Sequence, residues 1–238
     1  MKNFDDVFGL AFKDYLNGKI DATIIVKLDV AEDETLPAEY FFRDANRMPL
    51  EEQKALDMCY GSILDAGAGA GSHSLELMKR GYDVLPLDIS EEAVEIMKSR
   101  GLNNAICADI FEYQQKKFDT ILFLMNGIGM AKNLKGLGSL LKKVKKLLNP
   151  DGQILLDSTD LIYLFRDEDG SFLINLAGKY YGEVRYSLSY NGSHQKPFQW
   201  LYVDFGTLSD IADKSGFEAE MLMEGEQFHY LARLTHKK

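Results

Sequence analysis

Asp65, Gly67, Gly69 and Gly71 crowd into one short stretch, SILDAGAGAGSHSLEL (residues 62–77), and Asp88 lies 21 residues after Gly67. Glycine lets a backbone turn tightly and lets a ligand lie against it. The helix that begins after Gly71 offers free N–H groups at its start. A carboxylate at a strand end, as at Asp88, can accept two hydrogen bonds from ribose hydroxyls, although the same residue can also serve as a simple helix entry. Together these residue types suit a ligand that carries a nucleoside. Asp65, two residues before the first glycine, favours a ligand with a positive end, because a bare pyrophosphate would be repelled there. The dinucleotide pattern G-x-G-x-x-G would need glycine at Ser72, whereas the third glycine here is Gly71.

The elements that must hold these residues can be read from apolar periodicity. Ile63 and Leu64 belong to a short strand, and Leu75, Leu77 and Met78 mark the helix after the glycines. From Ser62 onward strands and helices alternate, which predicts a parallel sheet with helices on both faces. The strands are expected at 83–88, 105–108, 118–125 and 153–157. Helices are expected at 90–100, closed by Gly101, and at 134–148, closed by the Asn149-Pro150-Asp151-Gly152 turn. Before the glycine stretch, an amphipathic helix is expected at 3–18, β-rich sequence at 23–30 and a helix at 50–60. After it, 179–190 and 196–205 flank Asn191-Gly192, a hairpin signal, and the alternation within 179–190 would turn Val184, Leu188 and Tyr190 to one packed face and Arg185 to the other. A helix at 207–215 and a second hairpin, 217–223 with 227–234, follow.

The order of glycine stretch, Asp88, Asp109, FDTILFLMNGIG, NPDGQILLD and a final antiparallel hairpin resembles the class I S-adenosylmethionine (SAM) dependent methyltransferases. The resemblance covers 62–234. It implies an α/β, Rossmann-like, seven-stranded and mostly parallel sheet with helices on both faces. Its last strand would be antiparallel and inserted between two parallel neighbours. In this chain an N-terminal helical cap (1–60) would precede the cofactor-binding core (61–160). An inserted β-hairpin (170–206) would precede a C-terminal helix and hairpin (207–238), all within one domain (1–238). The resemblance also implies SAM as cofactor, with S-adenosylhomocysteine as product. It places Asp65, Gly67, Ala68, Gly69 and Gly71 in the cofactor loop, Asp88 at the ribose, Asp109 and Ile110 at the adenine, and Ile89 and Asn126 among the cofactor contacts. Asn126 follows the fourth strand, and Phe42 with Arg43 could fold back over the cofactor. Arg43 could equally reach out to solvent.

The acceptor side is less legible. Asn126-Gly127-Ile128-Gly129 lacks the Pro-Pro-aromatic signature of amino-directed nucleic-acid methyltransferases, and Cys107 lies within a strand rather than in a Pro-Cys nucleophile. Asn126 stands where metal-dependent catechol-type enzymes place an Asp. Asp157 and Asp160 follow the fifth strand at the ligand edge of the sheet, where one could act as general base and Asp160 could instead cap a helix. Tyr40, Tyr181, Arg185, Trp200 and Tyr202 could wall an acceptor, with the inserted hairpin as a lid; the alternative is an aromatic hairpin that is simply packed. No metal site is expected, since no histidine has a ligand partner at helical or turn spacing. His73 reads as a residue of the helix start, and the lysines 142, 143, 145 and 146 as a solvated helix end.

Composition narrows the partners. The 238 residues carry a formal net charge of −10, which disfavours nucleic acid and favours a small-molecule acceptor. Cys59 and Cys107 have neither metal-ligand nor disulfide spacing and are expected to be buried thiols in a reducing compartment. No apolar run reaches the roughly 18 residues that a membrane span needs. The acids in MKNFDDVFGL argue against a signal segment, so cytoplasm is expected. Two alternatives remain at this level: a SAM-binding module without catalysis, and an NAD-linked oxidoreductase, the latter opposed by Asp65 and Ser72.

Overall fold

The computed structural model describes residues 6–167, 171 and 178–237. Residues 3–5 of the expected first helix and residues 170 and 172–177 of the expected insertion lie outside the described residues. In chain order the elements are α1 (Val7–Leu16), β1 (Thr23–Leu28), β2 (Glu34–Pro37), α2 (Leu50–Asp57), β3 (Ser62–Ala66), α3 (Ser72–Lys79), β4 (Asp83–Asp88) and α4 (Glu91–Ser99). They continue as β5 (Ile106–Cys107), β6 (Phe118–Phe123), α5 (Leu134–Lys145), β7 (Leu148–Thr159), β8 (Glu183–Tyr190), β9 (Ser193–His194), β10 (Phe198–Leu201), α6 (Phe205–Lys214), β11 (Phe217–Glu224) and β12 (His229–His236).

Local chemistry sets most helix starts. The side chains of Asp6, Ser90, Asn133 and Asp204 each accept a backbone N–H from the first turn that follows, satisfying donors that have no partner within the helix. α3 begins instead after Gly71, whose φ of 85° is left-handed. A Cβ there would sit 2.6 Å from Leu102 Cδ1 and 2.9 Å from Met97 Cγ. Gly71 is therefore required twice, for conformation and for space.

Seven strands form one sheet in the order β11-β12-β7-β6-β3-β4-β5. β12 runs antiparallel to both β7 and β11, so it is inserted between two mutually parallel strands, as expected. β6 is almost wholly buried, which its apolar sequence FDTILF requires of a central strand. β7 is longer than the sequence suggested, because Leu148 already pairs with Phe118 before the Asn149–Gly152 turn shifts the register to Thr120 and Gln153.

A second sheet has the order β10-β8-β1-β2, with β9 paired to β8. The Asn191-Gly192 turn, with φ of 48° and 84°, joins β8 to β9. β1 pairs with β8, Lys27 opposite Ser187, so the expected cap and the expected insertion share a sheet. The alternation read from the sequence holds: Val184, Leu188 and Tyr190 are buried while Arg185 is exposed.

By its internal contacts the chain forms two compact units. The first comprises residues 1–48, 64–113 and 185–198. Its core joins Phe12 and Ala11 of α1, Ile24 and Val26 of β1, Ala70, Ile96, Leu188 and Tyr190. The second comprises residues 49–63, 114–184 and 199–238. No helix among the described residues is long and apolar enough to cross a membrane.

Candidate functional site

In the first unit the glycine loop follows the carboxyl end of β3. Gly67, Gly69 and Gly71 all have positive φ, at 80°, 57° and 85°, a backbone that other residues rarely adopt. The N–H groups of Gly67 and Ala68 both donate to Leu87 O of β4, at 2.8 and 3.0 Å. Gly69 N–H donates to Asp88 Oδ2 at 2.8 Å, and Ser90 N–H donates to Asp88 Oδ1 at 2.9 Å. Burial raises the pKa of Asp88, while the N–H groups of Ser90 and Gly69 pull it the other way. Each oxygen, having accepted one backbone bond, retains a second lone-pair site.

Asp65 is buried and accepts a hydrogen bond from the Ser74 hydroxyl of α3 at 2.6 Å. Asp109 is exposed and accepts the N–H of Phe111 at 2.9 Å, an Asx turn that leaves Ile110 buried. Ile89, immediately after Asp88, is 65% exposed despite its apolar side chain. Cys107 is exposed, which corrects the expectation of two buried thiols: β5 is a two-residue edge strand, and one flank of an edge is open. Cys59 is buried, with its thiol 3.3 Å from Ala55 O.

An aromatic group from the N-terminal segment meets this loop. Phe41 lies edge-on to Phe8 at 5.4 Å and is 4.8 Å from Phe12 between ring centroids. Its carbonyl accepts the Ser72 hydroxyl at 2.6 Å. Phe12 and Phe41 carbons lie 3.9 Å from where a Cβ on Gly69 would stand. Phe42 faces the Arg100 guanidinium at 4.8 Å. Arg43 is buried, its guanidinium 3.7 Å above the Tyr40 ring and donating to Tyr40 O. That removes the reading of Arg43 as a side chain extended into solvent.

In the second unit, Asn126 sits just beyond β6. It and Met125 both take left-handed backbone, with φ of 53° and 56°. Asn126 N–H donates to Asp157 Oδ1 at 2.8 Å, its Oδ1 accepts the Ser158 hydroxyl at 2.8 Å, and its Nδ2 donates to Leu201 O at 3.3 Å. Asp157 is thus a buried anchor for this turn. Asp160 accepts Ile162 N–H at 2.9 Å, the capping role anticipated for it, and also the Tyr181 hydroxyl at 2.6 Å. Burial, and next Asp160, raise the pKa of Tyr181 far above the ordinary phenol range.

The other wall candidates each have their own partners. Trp200 packs on Gly129, where an added Cβ would meet the indole Nε1 at 2.1 Å. Tyr202 N–H bonds Gly182 O at 2.8 Å, a close backbone approach that only glycine permits at position 182. Arg185 belongs to the first unit, where its N–H donates to Asp29 at 2.9 Å and its side chain is exposed. Lys145 departs from the solvated helix end expected for it: its ammonium donates to Gly216 O at 3.0 Å, just beyond α6.

Sequence reasoning missed two clusters in this unit. Tyr180 donates to Asp204 Oδ2 at 2.6 Å and accepts Asp204 N–H at 2.9 Å. His229 Nε2 lies 3.0 Å from Asp157 Oδ2, and Glu51 is nearby across the ring. No spacing signal marked His229, because its partners Asp157 and Glu51 lie far from it along the chain.

Comparisons with known proteins bear on what this arrangement does. A methyltransferase-domain family profile matches residues 63–152. No curated protein sequence matches the chain. A crystal structure of a SAM-dependent methyltransferase from Bacteroides fragilis, in complex with S-adenosyl-L-homocysteine, is 43% identical with a TM-score of 0.91. That match covers 98% of this chain and 96% of the other. A sugar N-methyltransferase from Streptoalloteichus sp. (14% identity, TM-score 0.61, 87% and 96% covered) shares the fold. So does an amino pentose methyltransferase from Micromonospora echinaspora (15%, TM-score 0.60, 84% and 96% covered).

Proposed function

Given that the chain belongs to the SAM-dependent methyltransferases, enzymes whose cofactor is S-adenosyl-L-methionine, we propose that its glycine loop, Asp88 and Asp109 hold that cofactor and that the acceptor is a small molecule. The Bacteroides fragilis relative's complex with S-adenosyl-L-homocysteine supports this reading. The family also sets aside the NAD-linked alternative and the module without catalysis.

The observation that carries the assignment is the Gly69–Asp88 hydrogen bond. It leaves the carboxylate lone pairs that two ribose hydroxyls would use, beside a backbone with no side chain in the way. Ile89, exposed and apolar, would flank the adenine, opposite the Asp109–Ile110 turn. Asp65, already bonded to Ser74, would act on the positive end of the ligand through its charge. Arg43, Phe42 and Asn126 remain further candidates for cofactor contact, and Tyr40, Tyr181, Trp200 and Tyr202 for acceptor contact.

SAM supplies a methyl group on a sulfonium centre that is already activated for displacement. The chain's own contribution is then chiefly to bind and orient. Asp157 is a poor choice of base, because it is buried and engaged with Asn126 N–H and with His229. Asp160 retains access through Tyr181 and is the stronger of the two carboxylates for a proton-handling role. We place the enzyme in the cytoplasm, in keeping with its two free cysteines. The net charge of −10 supports a small acceptor over nucleic acid.

The test is a methyl-transfer assay that follows S-adenosylhomocysteine release across panels of small amines, phenols and carboxylates, with RNA and DNA as further arms. Turnover with a small molecule supports the reading. Turnover confined to nucleic acid would overturn it.

A further inference from the structure

Three ionisable side chains of the second unit form a line that ends on the turn after β6. His229 heads β12, with its side chain 25% exposed. Its Nε2 is 3.0 Å from Asp157 Oδ2, and its Nδ1 is 3.7 Å from Glu51 Oε1 on α2. The second Asp157 oxygen holds Asn126 N–H. Asn126 and Met125 are consecutive non-glycine residues in left-handed backbone, a conformation that persists only when its surroundings enforce it. The chain from Gly127 to Ala131 continues that turn, and Trp200 packs on Gly129 within it. In open α/β sheets, ligands bind outside the carboxyl ends of the strands, which is where this turn lies.

We propose that His229 is a positioning residue: as an imidazolium between Glu51 and Asp157, it fixes the carboxylate that holds the Met125–Asn126 turn at the ligand edge of the sheet. The charged form suits both neighbours at once. A neutral ring can still donate from Nε2 to Asp157, but that bond loses its charge assistance. Its Nδ1 lone pair would then face the Glu51 carboxylate. Burial works to lower the pKa of His229, and Asp157 followed by Glu51 outweigh it, so the net shift is upward from 6.5.

Other charged groups lie on the elements around His229. α2 also carries Glu52, which is buried, and Lys54, whose ammonium donates to Leu222 O at 2.6 Å. β11 carries Glu224, opposite Tyr230 in register, and Glu226 lies in the turn between β11 and β12. Asp160 approaches from the other side, its N–H bonded to Phe228 O. These additional groups are mostly acidic, which favours the imidazolium further.

The chain has a single tryptophan, so Trp200 emission reports on the turn without labelling. The experiment follows Trp200 fluorescence of the full chain from pH 5 to pH 9 and, in parallel, the four histidines by NMR. We expect one emission step that coincides with the His229 titration and sits above the ordinary histidine value. His229→Gln should remove the step, and His229→Lys, a cation throughout this range, should hold the acidic-side emission at all pH values. Should His229→Gln fail to fold, Glu51→Gln should move the step to lower pH. An emission step that survives His229→Gln, or a step in Glu51→Gln at the wild-type pH, would overturn the proposal. So would a His229 titration with no change at Trp200.

Discussion

Asp88 accepts the backbone N–H of Gly69 at 2.8 Å, so the carboxylate at the end of β4 fixes the middle glycine of the loop that follows β3. One side chain thereby shapes the loop and keeps lone pairs for a ligand. The glycines on either side answer to different demands, and substitutions separate them.

Gly71→Ala should be a folding defect. Its Cβ would press on Leu102 and Met97 at a φ of 85°. Overpacking and left-handed strain together predict a loss of about 2–4 kcal/mol in urea unfolding. Gly69→Ala meets carbons at an ordinary 3.9 Å, so only the strain applies, about 1–2 kcal/mol. Its larger effect should be on S-adenosylhomocysteine affinity. Equal stability losses in the two variants would contradict this division.

Gly129→Ala should displace the single tryptophan. The new methyl would lie 2.1 Å from Trp200 Nε1, and the rigid indole has to move as a whole. The expected result is a shifted emission maximum and a lower thermal midpoint, with the far-ultraviolet circular dichroism unchanged. Unaltered emission would mean that Trp200 does not pack on this glycine.

Tyr180→Phe removes both hydrogen bonds between the phenol and Asp204 and should cost about 1–3 kcal/mol at neutral pH. The pH dependence carries a sign. Burial works against the Asp204 carboxylate, but hydrogen bonds from Thr207 and Tyr180 prevail and hold its pKa below 3.8. Its contribution is therefore present above that value and lost as the pH falls through the lowered pKa. The stability gap between wild type and variant should narrow as acid is added below about pH 4. A gap that widens in acid would show that Asp204 is not the partner that matters.

The parts of this molecule that sequence reveals are local ones. The glycine loop and the cap at Asp160 depend on residues within a few positions, and Asp88 on a fixed spacing from that loop, so spacing and residue type suffice. The alternating faces of β8 were legible for the same reason. The pairing of β1 with β8 was not, because Lys27 and Ser187 meet only through the tertiary fold. His229 was hidden in the same way. The antiparallel register of β12 on β7 sets it opposite Thr159, which brings it diagonally beside Asp157 on the same face. The exposure of Cys107 turned on β5 being an edge strand, something a short apolar run does not disclose.

The central claim is that Asp88 and the glycine loop hold the cofactor, and calorimetric titration of S-adenosylhomocysteine into wild type and Asp88→Ala tests it most directly. The carboxylate would make charge-assisted bonds to the ribose and also braces Gly69. The account predicts saturable binding to wild type and a loss of about 1–3 kcal/mol in the variant, roughly five- to 150-fold in affinity, with the variant still folded by circular dichroism. An affinity unchanged by Asp88→Ala would contradict it.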